Sequence, residues 1–426
     1  MGKLSAVTAR ILRYHEGRAP DMLERKYAAM AASPFAFYRG SCQLFVDAWP
    51  ARSALNDAPA VWSCGDLHFE NLGCYKGDNR LAYFDLNDFD EAALLPVSWD
   101  ITRFAASVLV GAPALRVGSG AASTLADLYL DAFGEALAHG KARWVERETA
   151  TGMTRELLDA VRERKRKTLL NERTLNEGGL RSIRVDGVKA LAASHDEAAQ
   201  VKRVVERLGS KLGRKKFYRV IDVARRIAGC GSLGLARFIV LVEGKGSPRG
   251  NFLLDLKEAR TPASAGHSPF AQPRWKSDAD RIVAVQSRVQ AVSPALLSSL
   301  RMDGAGFVLR ELQPLQDRMR MEAWGGDVGN LRDAMMKMGQ VTAWASLRAS
   351  GRQNSAIADD LIAFAKEPGW RRAVLSMARR VAARTMAEWR DFRADAAAGR
   401  PKTEDRRPKT EDRRPKTEDR GLTSSV

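Results

Sequence analysis

No apolar stretch in this chain approaches the roughly 18–20 residues that a bilayer-spanning helix requires. The longest, near Phe104 to Leu115, is broken by Gly111 and Pro113. The N-terminus lacks a compact apolar segment followed by a small-residue cleavage site, so a secretory leader is not expected. Cysteine is sparse: Cys42, Cys64, Cys74 and Cys230 are scattered with no CxxC pair, which argues against a zinc site or a disulfide framework. A reducing cytoplasm is the expected compartment. Histidine is also scarce, with five in the chain. A two-metal phosphoesterase needs several histidines, and His15, His139, His195 and His267 lie outside any context that would supply them.

What is present fits an ordinary soluble globular protein, 45% apolar and 28% charged over 426 residues. That length allows two or three lobes and a large core. The formal charge is +18, and much of the local excess sits in Arg162 to Lys189, which includes Arg-Glu-Arg-Lys-Arg-Lys at 162–167. The run contains no aromatic residue, so it lacks the stacking platform of a single-strand binder. A solvated helix face and an anion-binding surface both remain open for it, and it is the one feature in favour of a nucleic-acid-binding module.

Composition and periodicity divide the chain into five blocks. Residues 1–145 are helical at both ends, with three- and four-residue apolar spacing in Trp99–Val110 and Ala121–Leu137, and contain an acidic segment. Residues 146–205 form a basic, helical connector with a loop at Gly178 and Gly179. Residues 206–315 read as a sheet lobe, from the apolar run Phe238–Val242, the alternation of Phe252, Leu254 and Leu256, and the strand-like Phe307–Leu312. Residues 316–398 are helical again, with Trp344, Leu347, Ile362, Phe364 and Trp389 as core anchors. Residues 399–426 form a tail in which 401–420 repeat Pro-Lys-Thr-Glu-Asp-Arg-Arg nearly three times with no apolar side chain beyond proline, so disorder is expected.

The chemistry concentrates in residues 64–91, which hold seven acidic residues, three asparagines and one histidine. Asp66 and Asn71 stand five apart, and Asp85 ends the short run Leu81–Phe84. An aspartate placed to accept a proton, with an asparagine and a second aspartate to hold a metal, is what phosphoryl transfer from a nucleotide requires. A second element is Gly229-Cys-Gly231-Ser232-Leu-Gly234, a G-x-G-x-x-G between two strand-like runs. Glycines allow close backbone approach to phosphates, although a tight hairpin uses them too. A Rossmann site would place a helix after them, whereas Leu-Ala-Arg-Phe-Ile-Val-Leu-Val follows here. Lys257, on the next strand, can act as a point charge for phosphates.

With these residues in view, Gly65-Asp66-Leu67-His68-Phe69-Glu70-Asn71 resembles the catalytic loop of the aminoglycoside phosphotransferase and choline kinase branch of the protein-kinase-like fold. Phe84-Asp85-Leu86 resembles the Ile-Asp-Phe element that follows it, and Trp99-Asp100-Ile101 resembles the later Asp that braces the loop. The fuller pattern is similar to the bacterial domain-of-unknown-function 2252 family. It comprises Ser33-Pro-Phe-Ala-Phe-Tyr-Arg39-Gly, Asn87-Asp-Phe-Asp-Glu91, the glycine element, Lys257-Glu-Ala and Arg310-Glu-Leu.

The resemblance implies an α+β, two-lobed kinase-like fold with a mainly helical large lobe and a small antiparallel-sheet lobe. It implies that Asp66 orients or deprotonates an acceptor hydroxyl and that Asn71 and Asp85 bind Mg2+ or Mn2+. Lys257 would contact the phosphates of ATP, and Gly229, Gly231, Ser232 and Gly234 would form a lid. Asp88 and Asp90 are competing metal ligands, while Asp90 and Glu91 could instead cap the helix after Pro96. Cys64 stands where the phosphotransferases have histidine. The glycines and Lys257 follow Asp66 by more than 150 residues, the reverse of the ordinary order, which implies a circular permutation with helix 332–350 leading into the catalytic loop. Glu258 and Gln286 are candidates for the acidic partner of Lys257. The expected activity is ATP-dependent phosphotransfer to a small-molecule or protein hydroxyl. The alternatives within the fold are nucleotidyl transfer and a regulator that binds nucleotide without catalysis.

Overall fold

The structure is a computed structural model, and it describes residues 4–314, 317–320 and 324–400. The repeat tail expected to be disordered lies outside the described residues. The chain begins with α1 (Ala6–Tyr14), α2 (Pro20–Ala32), α3 (Pro34–Gly40) and α4 (Cys42–Asp47). Pro20 and Pro34 each begin a helix, where a missing N–H costs nothing. β1 (Ala60–Ser63) follows, then the hairpin β2 (Leu72–Lys76) and β3 (Ala82–Leu86), then β4 (Ala93–Pro96), which returns to pair antiparallel with β1.

α5 (Val97–Val110) is apolar on nearly every face because it runs through the middle of the large core. α6 (Ala112–Leu115) and α7 (Ser119–His139) follow, and Gly140 at φ +70° ends α7. Phe104 of α5 stacks on Tyr129 of α7 with centroids 3.7 Å apart.

α8 (Gly152–Glu163) and α9 (Arg166–Arg173) lead to a hairpin, β5 (Thr174–Glu177) and β6 (Leu180–Ile183), and then to β7 (Ala190–Ala192). The helical expectation for 146–205 therefore fails between 174 and 192. Gly178 and Gly179, at φ +57° and +86°, turn a hairpin. α10 (His195–Lys211) opens on a capping box between Ser194 and Glu197. β8 (Val220–Arg226), β9 (Arg237–Val242), β10 (Phe252–Glu258), α11 (Asp278–Val289), β11 (Ser298–Met302) and β12 (Ala305–Glu311) complete this half. α12 (Val328–Arg348), α13 (Ala358–Lys366) and α14 (Trp370–Ala397) rejoin the helical core.

Six of the twelve strands described form three two-stranded pairings, and the other six form one antiparallel sheet in the order β11-β12-β10-β9-β8-β7. The sheet lobe thus begins near residue 190 rather than 206. Phe252, Leu254 and Leu256 face a core shared with Val201 and Val205 of α10. The intervening Asp255 and Lys257 face the other way, toward the acidic segment. The fold class is α+β.

Candidate functional site

The loop after β1 can be built only with glycine at 65. Gly65 has φ +78°, and a Cβ there would lie 1.9 Å from the backbone oxygen of Glu91. The loop is braced from two sides. Asp100, in the first turn of α5, accepts the Cys64 N–H at 3.2 Å. The Asn71 side chain accepts the Asp88 N–H at 2.7 Å and donates to the carbonyls of Asp66 and Asp88, each at 3.1 Å. Asn71 therefore staples the Asp66 loop to the Asp88 loop. Burial raises the Asp100 carboxyl to about 6, against the pull of the Ser63 hydroxyl and the Cys64 and Gly65 amides.

Asp66 meets Arg103, whose Nε donates to Oδ1 at 2.7 Å. Arg103 is wholly buried on α5, with its guanidinium 4.3 Å from the Tyr38 ring centroid and 5.0 Å from that of Phe45. Burial raises the Asp66 carboxyl, and Arg103 opposes the rise. His68 is buried edge-on against Phe35, and burial together with Arg39 and Arg103 keeps its ring neutral.

Asp85 goes elsewhere. It is buried in β3, where Oδ2 accepts from Arg348 at 2.7 Å and from the Ala291 N–H at 3.0 Å, tying the end of α12 to the segment after α11. Asp85, expected beside Asn71 at a metal, is thus occupied by Arg348 and Ala291 and is not among the residues lining the cleft. Asp88, three residues on, lines the cleft.

Lys257 brings the two distant segments together. Its Nζ lies 3.5 Å from Asp88 Oδ1 and also pairs with Asp90. Ser232 Oγ donates to Asp90 Oδ2 at 3.1 Å. The acidic partners of Lys257 thus come from the acidic segment itself. Glu258 instead accepts the Ala236 N–H at 3.0 Å and pairs with Arg260 at 2.9 Å. Gln286 of α11 shares a recess with Asp88 and Lys257, and its buried Nε2 has no hydrogen-bond partner among the described residues. Asp90 and Glu91 do not cap the helix after Pro96: α5 has no side-chain cap. Lys257 draws Asp88 well below the usual carboxylate range although burial acts the other way.

The glycine segment forms the turn between β8 and β9, and the N-terminal helices hold it. Lys26 of α2 donates to the Gly231 carbonyl at 2.8 Å, Arg18 donates to it at 3.1 Å, and the Ala19 N–H donates to the Gly234 carbonyl at 2.9 Å. Gly234, at φ +93°, lies so close to Arg18 that a Cβ would come within 2.8 Å of its Cβ. Lys26 is fully buried, and burial and Arg18 bring it down to about 7. Gly231 and Ser232 line the cleft with Asp66, Asp88, Asp90 and Glu91, facing Arg39 and Arg260. About 50 Å³ of space is open there.

The sheet face above the cleft is charged. Asp255 pairs with Arg237 through two bonds of 2.8 and 2.6 Å and with Arg226 at 2.8 Å; Arg310 stands at 3.9 Å and donates to the Asn87 carbonyl at 3.1 Å. Burial and the nearby Arg39 lower Arg318 to about 10. Sequence reading missed Arg103, Lys26 and, Arg310 apart, this arginine group. The signal for Arg103 was present, as a lone cation in the apolar stretch Val97–Val110. Lys26 left none, because it sits in a helix with ordinary amphipathic charge.

Residues 18–395 match the family described as an uncharacterized protein conserved in bacteria, DUF2252. The chain belongs to that family. No curated protein and no solved structure matches it.

Proposed function

We propose that this chain is a kinase-like phosphotransferase that moves a phosphoryl group from a magnesium-bound nucleotide, ATP, to a hydroxyl acceptor. The observation that carries this reading is the convergence of Lys257 and Ser232 on Asp88 and Asp90, beside the Asp66–Asn71 loop.

The order of elements supports it. β8, glycine turn, β9, Lys257 on β10, then α11 and two further strands, is the succession a kinase places over a nucleotide. In ordinary kinases this half comes first, so the reading includes a circular permutation. α12 then precedes β1 in space: just beyond its end, the Ala356 N–H donates to the Ala60 carbonyl at 2.8 Å. Gln286 of α11 stands where kinases carry the glutamate that pairs with the lysine.

For the metal, Asp88 and Asp90 offer hard oxygen donors, with Asn71 Oδ1 behind them. No group of three His, Cys, Asp or Glu suited to a metal occurs among the described residues. Mg2+ commonly takes one or two carboxylates plus substrate phosphates, so this donor set fits a metal delivered with a nucleotide; manganese suits the same oxygens. Bound there, the ion would neutralise charge developing on the transferred group. Lys257 would exchange Asp88 and Asp90 for phosphate oxygens, and the glycine-turn amides would lie over them. Asp66, held by Arg103, would orient the acceptor hydroxyl and take its proton.

A second reading is favoured by one observation. With Lys26 and Arg18 holding Gly231, the open space of about 50 Å³ is too small for a nucleotide. A regulator that binds nucleotide only after this turn lifts, without turnover, fits that geometry. Incubation with magnesium and ATP labelled on the alpha or the gamma phosphate separates the readings. Gamma label on an acceptor supports the kinase, alpha label supports nucleotidyl transfer, and binding without either supports the regulator. Asp66→Ala and Asp88→Asn are expected to abolish transfer. Full transfer in both variants, or no magnesium-dependent rise in Tm with ATP, would sink the assignment.

A further inference from the structure

The basic run at 162–167, unused by the cleft, lines a separate cavity. Its Arg164, Lys165 and Arg166 form the turn from α8 into α9 and face Lys76 and Arg80 of the β2–β3 hairpin and the end of β12, around about 200 Å³ of space. Two carboxylates also line it, and each already has a partner. Asp317 takes a two-pronged pair from Arg164, one bond at 2.7 Å, and Glu311 pairs with Arg80. Lys76, whose Nζ donates to the Arg164 carbonyl at 3.2 Å, has no carboxylate partner among the described residues, nor have Lys165 and Arg166.

These cations stand where a helix is least able to tolerate them. Lys165 is the N-cap of α9, which has no side-chain cap and no acidic residue in its first turn; Arg166 and Lys167 occupy that turn instead. The positive end of the helix dipole adds to their charge. Burial and neighbouring cations lower Lys76 and Arg166 from their ordinary values. The Arg166 guanidinium lies 3.9 Å from the Phe252 ring centroid and that of Arg80 at 5.3 Å. Phe252 is itself buried, which leaves its ring no face for stacking a base.

The cavity shares no lining residue with the cleft, and only Arg310 with the recess that holds Asp88 and Lys257. Glu311 pairs with Leu254 across β12 and β10, on the face of the sheet opposite Asp255 and Lys257. We propose that this cavity is a second anion site, binding a compact, multiply charged anion of the pyrophosphate class. The proposal stands independently of the kinase-like reading.

The test is titration calorimetry with inorganic pyrophosphate, without magnesium and at fixed ionic strength. One saturable site is expected in the wild type, with Kd at least tenfold weaker in Lys165→Glu and in Arg80→Ala, as befits loss of a charge-assisted contact. Lys165→Glu places an acid at a helix N-terminus, so its Tm should hold or rise, which separates lost binding from lost folding. Lys257→Met should leave the Kd within a factor of two. Binding unchanged in both cavity variants, or lost in Lys257→Met, would overturn the site. A single-stranded RNA that binds the same residues more tightly than pyrophosphate would overturn the ligand class.

Discussion

At the scale of single residues, two glycines with nearly equal φ separate steric from conformational need. Gly65 (φ +78°) would drive a Cβ onto a backbone oxygen, whereas Gly229 (φ +77°) has its nearest foreign atom at 3.6 Å. Gly65→Ala is expected to cost about 3 kcal/mol or more, and Gly229→Ala about 1 kcal/mol, the penalty of a left-handed conformation alone. Urea denaturation of both checks this, and equal losses would show that backbone preference dominates. Asp100 supplies a pH test. Burial raises its carboxyl from the ordinary 3.8 to about 6, so between these values the native state holds a proton that the unfolded chain has released. Its contribution to stability is therefore complete below about pH 4 and is lost as pH rises through 6. The shift corresponds to roughly 2–3 kcal/mol. Asp100→Asn should remove that fall, so the difference in unfolding free energy between variant and wild type must change across pH 4–7; parallel profiles would exclude the assignment.

At the scale of elements, the glycine turn is fastened by α2. Lys26→Met conserves side-chain length but removes the donor to the Gly231 carbonyl, a charged hydrogen bond of about 1.5–3 kcal/mol. Native-state hydrogen exchange at 229–235 should accelerate at least tenfold, while β9 and β10 keep their protection; unchanged exchange would show that Arg18 and Ala19 suffice. Much of this architecture was legible in the sequence where pattern and burial agree. Phe238–Val242 reads as a strand because β9 is buried on both sides, and the glycine turn lies between the expected strands. The hairpin β5–β6 was hidden because its exposed Leu175 and Leu180 break the alternation that marks a strand. The partner of Asp85 was hidden for a different reason. Spacing locates a carboxylate along the chain, but only tertiary packing decides that Arg348, 263 residues away, takes it. Asp90 as a partner of Lys257 depends on a contact of the same kind.

At the scale of the whole molecule, the question is whether sheet lobe and helical body unfold together. Ion pairs across the cleft would couple them weakly, because Asp88 and Asp90 keep about a third of their side chains exposed, at 37% and 29%. The stronger tie is α11. It lies between β10 and β11 in sequence, yet its Ile282, Val285 and Val289 pack in the main helical core, separate from the core of the sheet. Arg281, buried on the same helix, donates to the carbonyls of Asp90 at 3.1 Å and Arg260 at 2.8 Å, and also to that of Ala92. The sheet lobe therefore cannot detach without opening the main core. Calorimetry should show one transition with calorimetric and van't Hoff enthalpies in agreement, and raising the salt should leave it single, since screening acts on the cleft pairs and not on α11. Ile282→Ala, which empties part of that contact at a cost of about 2–5 kcal/mol, should broaden or split the transition. Lys257→Met should shift it little. If Lys257→Met split the transition and Ile282→Ala merely lowered it, the cleft ion pairs, rather than α11, would be what joins the two lobes.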